Sequence, residues 1–397
     1  MHKVPRLTVF LLATVNFTHI MDFMIIMPLG DILMRYFRIQ PQQFSMIVSA
    51  YTLAAGIAGF LGAFIIDYFD RKKFLLLLYS GFLVGTLACG LAASYLQMLL
   101  ARALTGAFGG VIGSLVMAIV SDLYPWEQRG RAMGLLSASF SVASVFGVPF
   151  GLFMADQLSW PAPFLFLSAL GAALMAVLWN VLPPMKAHLN TRKAHFSPLE
   201  VIQKIFSDRN QVLGLALSFS LILSQMIMIP FITPYMIRNV GLSQSQIPLI
   251  YFFGGIATIF SAQVVGRLTD KIGVRKVFTT GVLLSYIPII TITNLPPVPV
   301  HVALIATTAF FIFINSRMVP AHTMISGVAS RENRGSFMSF NSSAMQIASA
   351  VAAFLSGLIV HEGSNGGLLE GFYLVGIASL TISFAGLLIA PRLKFVG

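Results

Sequence analysis

The sequence predicts an all-α membrane protein, with twelve transmembrane helices in two pseudo-symmetric six-helix bundles. Three observations carry this. The chain is 57% hydrophobic and 10% charged, with a mean hydropathy of +0.86, whereas a soluble domain draws about a quarter of its residues from Asp, Glu, Lys and Arg. Such a composition cannot clothe a water-facing surface for 397 residues. Apolar runs near the roughly 20 residues that cross a bilayer as a helix recur along the whole chain. Two charged clusters also repeat across its midpoint.

In order, the runs cover residues 7–30, 43–66, 74–94, 97–121, 132–155, 162–182, 211–237, 245–268, 277–294, 300–325, 335–360 and 369–390. Barrel strands would be about half this length and alternate in polarity. Residues 1–30 resemble a secretory signal superficially, with Lys3 and Arg6 before the apolar run. That run is too long for an h-region and no small-residue cleavage site follows, so it reads as the first span. Asn315, Ser316 and Arg317 interrupt the tenth run. Between the sixth and seventh, Pro183 to Asn210 forms the one long polar connection, with Pro183-Pro184, five basic residues and apolar turns around Val201 to Phe206. The expected organisation is a first bundle over 1–182, a cytoplasmic linker over 183–210 and a second bundle over 211–397.

Positive charge marks the cytoplasmic side of a membrane protein. With both termini and every even-numbered connection on that side, twenty of the 25 Lys and Arg lie there. The opposite side holds only Arg35, Arg38 and Arg238, and Arg102 and Arg317 fall within spans. The formal net charge of +12 is therefore mostly a topology signal with some attraction to anionic lipid, and nucleic acid is not an expected partner. The single cysteine, Cys89, excludes an internal disulfide.

The repeat is visible in the connections. Asp67-Tyr68-Phe69-Asp70-Arg71-Lys72-Lys73 answers to Asp270-Lys271-Ile272-Gly273-Val274-Arg275-Lys276, 203 residues on. Arg129-Gly130 answers to Arg334-Gly335, 205 residues on. Near-equal offsets at equivalent positions argue for a duplicated six-helix unit, an architecture of many carriers whose substrate binds between halves near the midplane.

Span 1 carries a polar stripe of Asn16, His19 and Asp22, one helical turn apart. Asp22 alone among the thirteen acids falls well inside a span, and an intramembrane carboxylate marks a functional site by default. Desolvation favours its neutral form and a nearby cation its charged form; a group balanced between the two exchanges protons as its surroundings change. Arg102 is its natural partner. Asp22 lies roughly 12 Å and Arg102 roughly 8 Å from the outer ends of spans 1 and 4 at 1.5 Å per residue, and a long side chain bridges the difference. The alternatives are a structural ion pair or a direct substrate ligand. His19 relays a proton, contacts substrate, or is a neutral histidine bonded to a neighbouring helix.

Asp67 and Asp270 sit where cytoplasmic helix ends meet basic loops, so each can pair with arginines on neighbouring helices in one conformation and release them in another, with Arg71 and Arg275 of the same loops as further gating candidates. The alternative is a solvated loop acid with a topological role. Glycines let helices approach closely in lipid: Gly106, Gly109, Gly110 and Gly113 of span 4 read as packing, not as a phosphate loop. Gly147, Pro149 and Gly151 of span 5 read equally as a hinge or a plain kink. In the second half the position matching Asp22 is Gln225, polar but uncharged, which places proton chemistry in the first half. Arg317 has no evident acid nearby; it binds an anionic substrate group, or bonds to carbonyls and Asn315. Tyr51, Gln225, Tyr235, Gln263, Asn341 and Gln346 complete the candidate substrate cavity, with Met and Phe as adaptable apolar walls or simply as lipid-facing and core residues.

These residues resemble the major facilitator superfamily over essentially the full chain. Gly266-Arg267-Leu268-Thr269-Asp270-Lys271-Ile272-Gly273-Val274-Arg275-Lys276 is similar to the family's signature loop. The first-half copy departs from it: Ala63 stands at the usual glycine, Tyr68 at a basic position and Asp70 at the second glycine. Arg102 followed by Gly106 resembles the fourth-span arginine motif, and Gly147-Val148-Pro149-Phe150-Gly151 the fifth-span motif of the twelve-span drug:proton antiporter branch. The resemblance implies spans 1 and 4 lining one cavity, Gly266 in the gating loop, and a monomer in a bacterial inner membrane with both termini cytoplasmic.

No G-x-x-x-x-G-K-[ST] loop and no soluble segment for a nucleotide domain are present, and no Cys/His pattern marks a metal. No cofactor is expected. The leading expectation is proton-coupled export of a small amphiphilic or drug-like molecule by alternating access. Uptake by symport or facilitated diffusion is the near alternative. An intramembrane lipid-modifying enzyme using His19 or His322 is a distant one, since no clustered nucleophile, acid and base emerge.

Overall fold

A computed structural model describes residues 6–124, 126–186, 189, 198–330, 334–363 and 367–396, without the side chains of 6, 126–129, 131, 198 and 201. Arg192, Lys193 and Arg331 thus lie outside the described residues, as do the side chains of Arg129 and Arg131. Among the described residues, twelve helical segments are long and apolar enough to cross a membrane, each overlapping one of the twelve runs.

Span 1 is α1 (Arg6–Ile25), followed by the short α2 (Gly30–Phe37). Span 2 is α3 (Pro41–Ile65) with a 3-10 turn at Ile66–Tyr68, span 3 is α4 (Arg71–Gly90) and span 4 is α5 (Tyr95–Leu123). Span 5 joins α6 (Trp126–Val142) to α7 (Val148–Gln157) through a π-helical turn at Ala143–Gly147, and span 6 is α8 (Ala162–Val181). The linker contains α9 (Pro198–Ser207). Span 7 is α10 (Arg209–Met226) and α11 (Ile229–Arg238). Spans 8 to 12 are α12 (Ile247–Ile272), α13 (Val274–Thr293), α14 (Val300–Ser326), α15 (Arg334–Ile359) and α16 (Phe372–Ile389). Between the last two, β1 (His361–Glu362) and β2 (Leu369–Glu370) pair antiparallel.

Two expectations are corrected. Span 1 ends at Ile25 rather than residue 30, because Pro28 offers no N–H and its ring disfavours a helical residue before it. Span 10 is not interrupted: α14 runs unbroken through Asn315, Ser316 and Arg317. The Ser316 hydroxyl donates to Ile312 O at 2.7 Å, so this polar side chain is satisfied within its own helix.

The chain forms two compact units, Met1–Ile26 with Ala50–Ser197, and Met27–Ser49 with Pro198–Gly397. In the first, α1 packs on α6, and α4 on both α5 and α8; in the second, α10 packs on α15, and α13 on both α14 and α16. Spans 1–5, 3–4 and 3–6 of one half therefore recur as 7–11, 9–10 and 9–12 of the other, as a duplicated unit requires. The first core gathers Leu12, Leu75, Tyr79, Phe82, Ile112 and Leu115. In the second, Leu217, Leu221, Phe278 and Phe310 are fully buried. Large apolar side chains also stand outside: Leu77, Leu100, Phe146, Trp179, Phe260, Ile287 and Ile305 are all more than half exposed. Lipid, not water, is the solvent that tolerates such a surface.

The duplicated loops close differently. Gly273 joins α12 to α13 at φ +95°, a conformation that favours glycine. Its counterpart Asp70 has φ −55° and instead caps α4, its carboxylate accepting from Lys72 N at 2.9 Å. The substitution at the second signature glycine thus exchanges a left-handed turn for a side-chain N-cap.

Candidate functional site

The first unit contains a buried ion pair. Arg102 Nη1 lies 2.7 Å from Asp22 Oδ2, and both side chains are 0% exposed. The other carboxylate oxygen accepts from the Thr86 hydroxyl at 3.1 Å. The guanidinium carbon lies 4.3 Å from the centre of the Tyr51 ring, a cation–π arrangement. Four helices hold these groups: α1 carries Asp22, α3 Tyr51, α4 Thr86 and α5 Arg102. Arg102 Nε and Nη2 and the Tyr51 hydroxyl have no hydrogen-bond partner among the described residues. The cluster is fully desolvated and only partly satisfied, so changes of protonation or packing there carry large energies.

Glycines allow that approach. A Cβ on Gly106 would collide with the Tyr51 carbonyl oxygen, and one on Gly110 with that of Ala55. Span 4 therefore lies against the backbone of span 2. Gly113 has no heavy atom within 4 Å of where its Cβ would stand, so the expected packing role ends before it. Gly147 and Gly151 serve span 1: a Cβ on Gly151 would lie 2.8 Å from Ile25 Cδ1, and one on Gly147 3.2 Å from Met21 Sδ. The π-turn over Ala143–Gly147 stands directly before Pro149. A wide turn relieves the clash of a proline ring with the carbonyl four residues earlier.

The rest of the span 1 stripe divides. Asn16 Nδ2 donates to Leu136 O at 3.2 Å, tying α1 to α6. His19 is edge-on to Phe82 at 5.8 Å, and its Nδ1 is buried without a partner. Among the described residues it makes no hydrogen bond or ion pair with Asp22.

In the loop between spans 2 and 3, Arg71 Nη2 lies 3.2 Å from Asp67 Oδ1 and Arg71 Nε 2.9 Å from Asp122 Oδ2 at the end of α5. Asp67 is thus paired within its own loop, and the inter-helix contact runs through Asp122. The second copy differs. Asp270 is exposed and makes no ion pair among the described residues. Arg275 Nη2 donates to Leu393 O at 2.7 Å, with its guanidinium 5.3 Å from the Phe395 ring, holding the C-terminal segment. A Cβ on Gly266 would meet nothing within 4 Å.

The second-half cavity candidates lie on α10, α11, α12, α14 and α15. Tyr235 donates to Leu295 O at 3.2 Å, and its ring lies tilted against that of Phe372 with centroids 4.7 Å apart. Asn341 is buried and donates to Met345 Sδ at 3.4 Å. Gln225 and Gln346 are half-buried and Gln263 is exposed. Arg317 is buried, and none of its side-chain nitrogens has a hydrogen-bond partner among the described residues. Among the described residues no hydrogen bond joins any two of these six.

Sequence reasoning missed Thr86, although it is a polar residue one turn from the end of span 3, where depth matching with Asp22 points to it. It also missed a second network. Asp31 of α2 binds Arg35 at 2.9 Å and Arg238, which binds Glu362 as well. Asn239 exchanges two hydrogen bonds with the backbone of Leu369. Partners 207 and 124 residues apart leave no local signal.

A family profile described as Major Facilitator Superfamily matches residues 12–229 and 214–395. An uncharacterized MFS-type transporter, YceJ of Bacillus subtilis (strain 168), is 25% identical over 376 residues, covering 94% of this chain and 95% of that one. Multidrug resistance protein 3 of the same organism is 22% identical over 340 residues, 71% of this chain and 66% of its own. Among solved structures, a bacterial homolog of the human lysosomal transporter Spinster superposes with a TM-score of 0.81 at 17% identity, covering 99% of this chain and 98% of that one. A D-xylose-proton symporter superposes with a TM-score of 0.78 at 16% identity, covering 98% and 97%.

Proposed function

Because the chain belongs to the Major Facilitator Superfamily, and is therefore a multi-pass membrane transporter rather than an enzyme, we propose that it is a proton-coupled secondary carrier exporting a small amphiphilic or drug-like molecule by alternating access. The observation that carries this reading is the Asp22–Arg102 pair, 2.7 Å long and closed to solvent. A carboxylate in that setting has two comparable options: it keeps its charge against the guanidinium, or it takes a proton and releases Arg102. Each option favours a different packing of α1 against α5, and alternation between them couples proton movement to conformational change. His19 is an accessory group in this scheme, and the Arg71–Asp122 contact and the span 5 glycines are its conformational elements.

One proton descending ~100 mV gains about 2.3 kcal/mol, and one pH unit adds about 1.4 kcal/mol. The sum sustains a substrate gradient of roughly a few hundredfold. The fifth-span motif and the similarity to Multidrug resistance protein 3 support export. The D-xylose-proton symporter keeps proton-driven uptake as the second reading. The setting we propose is a bacterial inner membrane, with both termini cytoplasmic, two six-helix halves over 1–182 and 211–397, and a monomeric carrier.

The test is drug susceptibility of an efflux-deficient bacterium making wild type or Asp22→Asn at matched levels, across lipophilic cations, neutral compounds and anions. We expect wild type to protect against at least one class and Asp22→Asn to lose that protection. Protection that survives the substitution removes Asp22 from coupling; sensitisation by wild type favours uptake.

A further inference from the structure

The second unit holds a positive charge inside a span with no counter-charge among the described residues. Arg317 of α14 is 0% exposed, and Nε, Nη1 and Nη2 all lack a hydrogen-bond partner among the described residues. A guanidinium does not escape by losing its proton, so burying it unpaired is costly. Neither polar neighbour accepts a hydrogen bond from it among the described residues. Asn315 Nδ2 donates to Thr258 O at 3.4 Å, and the Ser316 hydroxyl to Ile312 O. The described acids of this unit lie at helix ends or in connections: Asp31, Glu200, Asp208, Asp270, Glu362 and Glu370. Tyr286 of α13 is engaged elsewhere, its hydroxyl donating to Leu380 O at 3.4 Å.

The surroundings define what would complete the site. Helical side chains lean toward the helix N-terminus, so Arg317 reaches from about 13 Å inside the Ser326 end toward the middle of the span. Phe310, Ile314, Ala321 and Met324 share its face and are buried. A Cβ on Gly281 would stand 3.3 Å from Arg317 N, so α13 closes on the same turn. We propose that Arg317 is a binding site for the carboxylate of a monovalent organic acid with an apolar body. A carboxylate matches the planar fork in two parallel hydrogen bonds. One negative charge cancels one positive charge, whereas a dianion would leave an excess in the membrane. The side chains that share the face of Arg317 are apolar, which matches an apolar body rather than a polar one. This rests on the transporter reading, in which the acid is the transported molecule.

The experiment is thermal unfolding of the purified full-length protein in detergent with acetate, benzoate or octanoate, against chloride and inorganic phosphate at equal ionic strength. Wild type and Asp22→Asn are expected to show a saturable rise in midpoint with benzoate or octanoate and none with chloride or phosphate. Arg317→Gln loses that rise, with apparent affinity weakened at least tenfold, and Arg317→Lys keeps part of it. Without ligand, Arg317→Gln unfolds at or above the wild-type midpoint, because an unpaired charge has been removed. No carboxylate response in wild type, an equal response to chloride or phosphate, or a response surviving in Arg317→Gln overturns the proposal. The proton reading fails separately: Asp22-dependent drug protection can vanish with the benzoate response intact, and the reverse.

Discussion

Asp22 and Arg102 are unequal partners. An isolated buried carboxyl lowers its cost by taking a proton, whereas an isolated buried guanidinium has no neutral form to adopt. Removing one member of a buried pair costs about 3–5 kcal/mol, and replacing both with apolar or neutral groups is often close to neutral. Asp22→Asn is therefore expected to lower the unfolding midpoint in detergent more than Arg102→Met, and the double substitution to recover much of the loss while transport stays absent. Equal losses that add in the double variant would mean that the pair does not act as a unit. The pairing was legible in the sequence, because both residues are charged, lie in the same half and sit at comparable depth. Depth matching could have pointed to Thr86, but the Tyr51 ring was not legible as a neighbour, since a tyrosine is not unusual in a span.

Whole helices place these residues, and small side chains decide how closely they do so. Span 4 touches the backbone of span 2 at Gly106 and Gly110, whereas Gly113, on the same helix, faces open space. Overpacking typically costs about 1–3 kcal/mol and more where the obstacle is backbone. Gly106→Ala is expected to lose folded yield and midpoint, while Gly113→Ala leaves both unchanged. Similar behaviour of the two in size-exclusion profile and thermal midpoint would count against close packing of spans 2 and 4. The glycine stripe was readable as a packing surface from spacing alone; which members touch a neighbour was not. The same holds in span 5, where Pro149 announces a break and only the fold shows that it is relieved by a π-turn at Ala143–Gly147.

Across the whole chain the strongest asymmetry is the distribution of Lys and Arg, twenty of 25 assigned to one side. Short-loop charge of this kind orients membrane proteins. Phosphatase fusions at Arg192 and at the C-terminus are expected to be inactive, and one between Gly363 and Gly367 active, with fluorescent-protein fusions reporting the opposite pattern. Active phosphatase at Arg192 and at the C-terminus would reverse the topology and move the proposed coupling site to the other half of the membrane. By itself the sequence determined the solvent, the number and order of spans, the duplication and the lone intramembrane acid. Those are written in hydropathy and in local charge patterns, which act residue by residue. Tertiary structure alone decided that Arg71 reaches Asp122, that Arg238 meets both Asp31 and Glu362, and that Arg317 finds neither carbonyl nor acid among the described residues. Such contacts join helices far apart in the chain, and no local pattern specifies which polar side chain will face which once the helices pack.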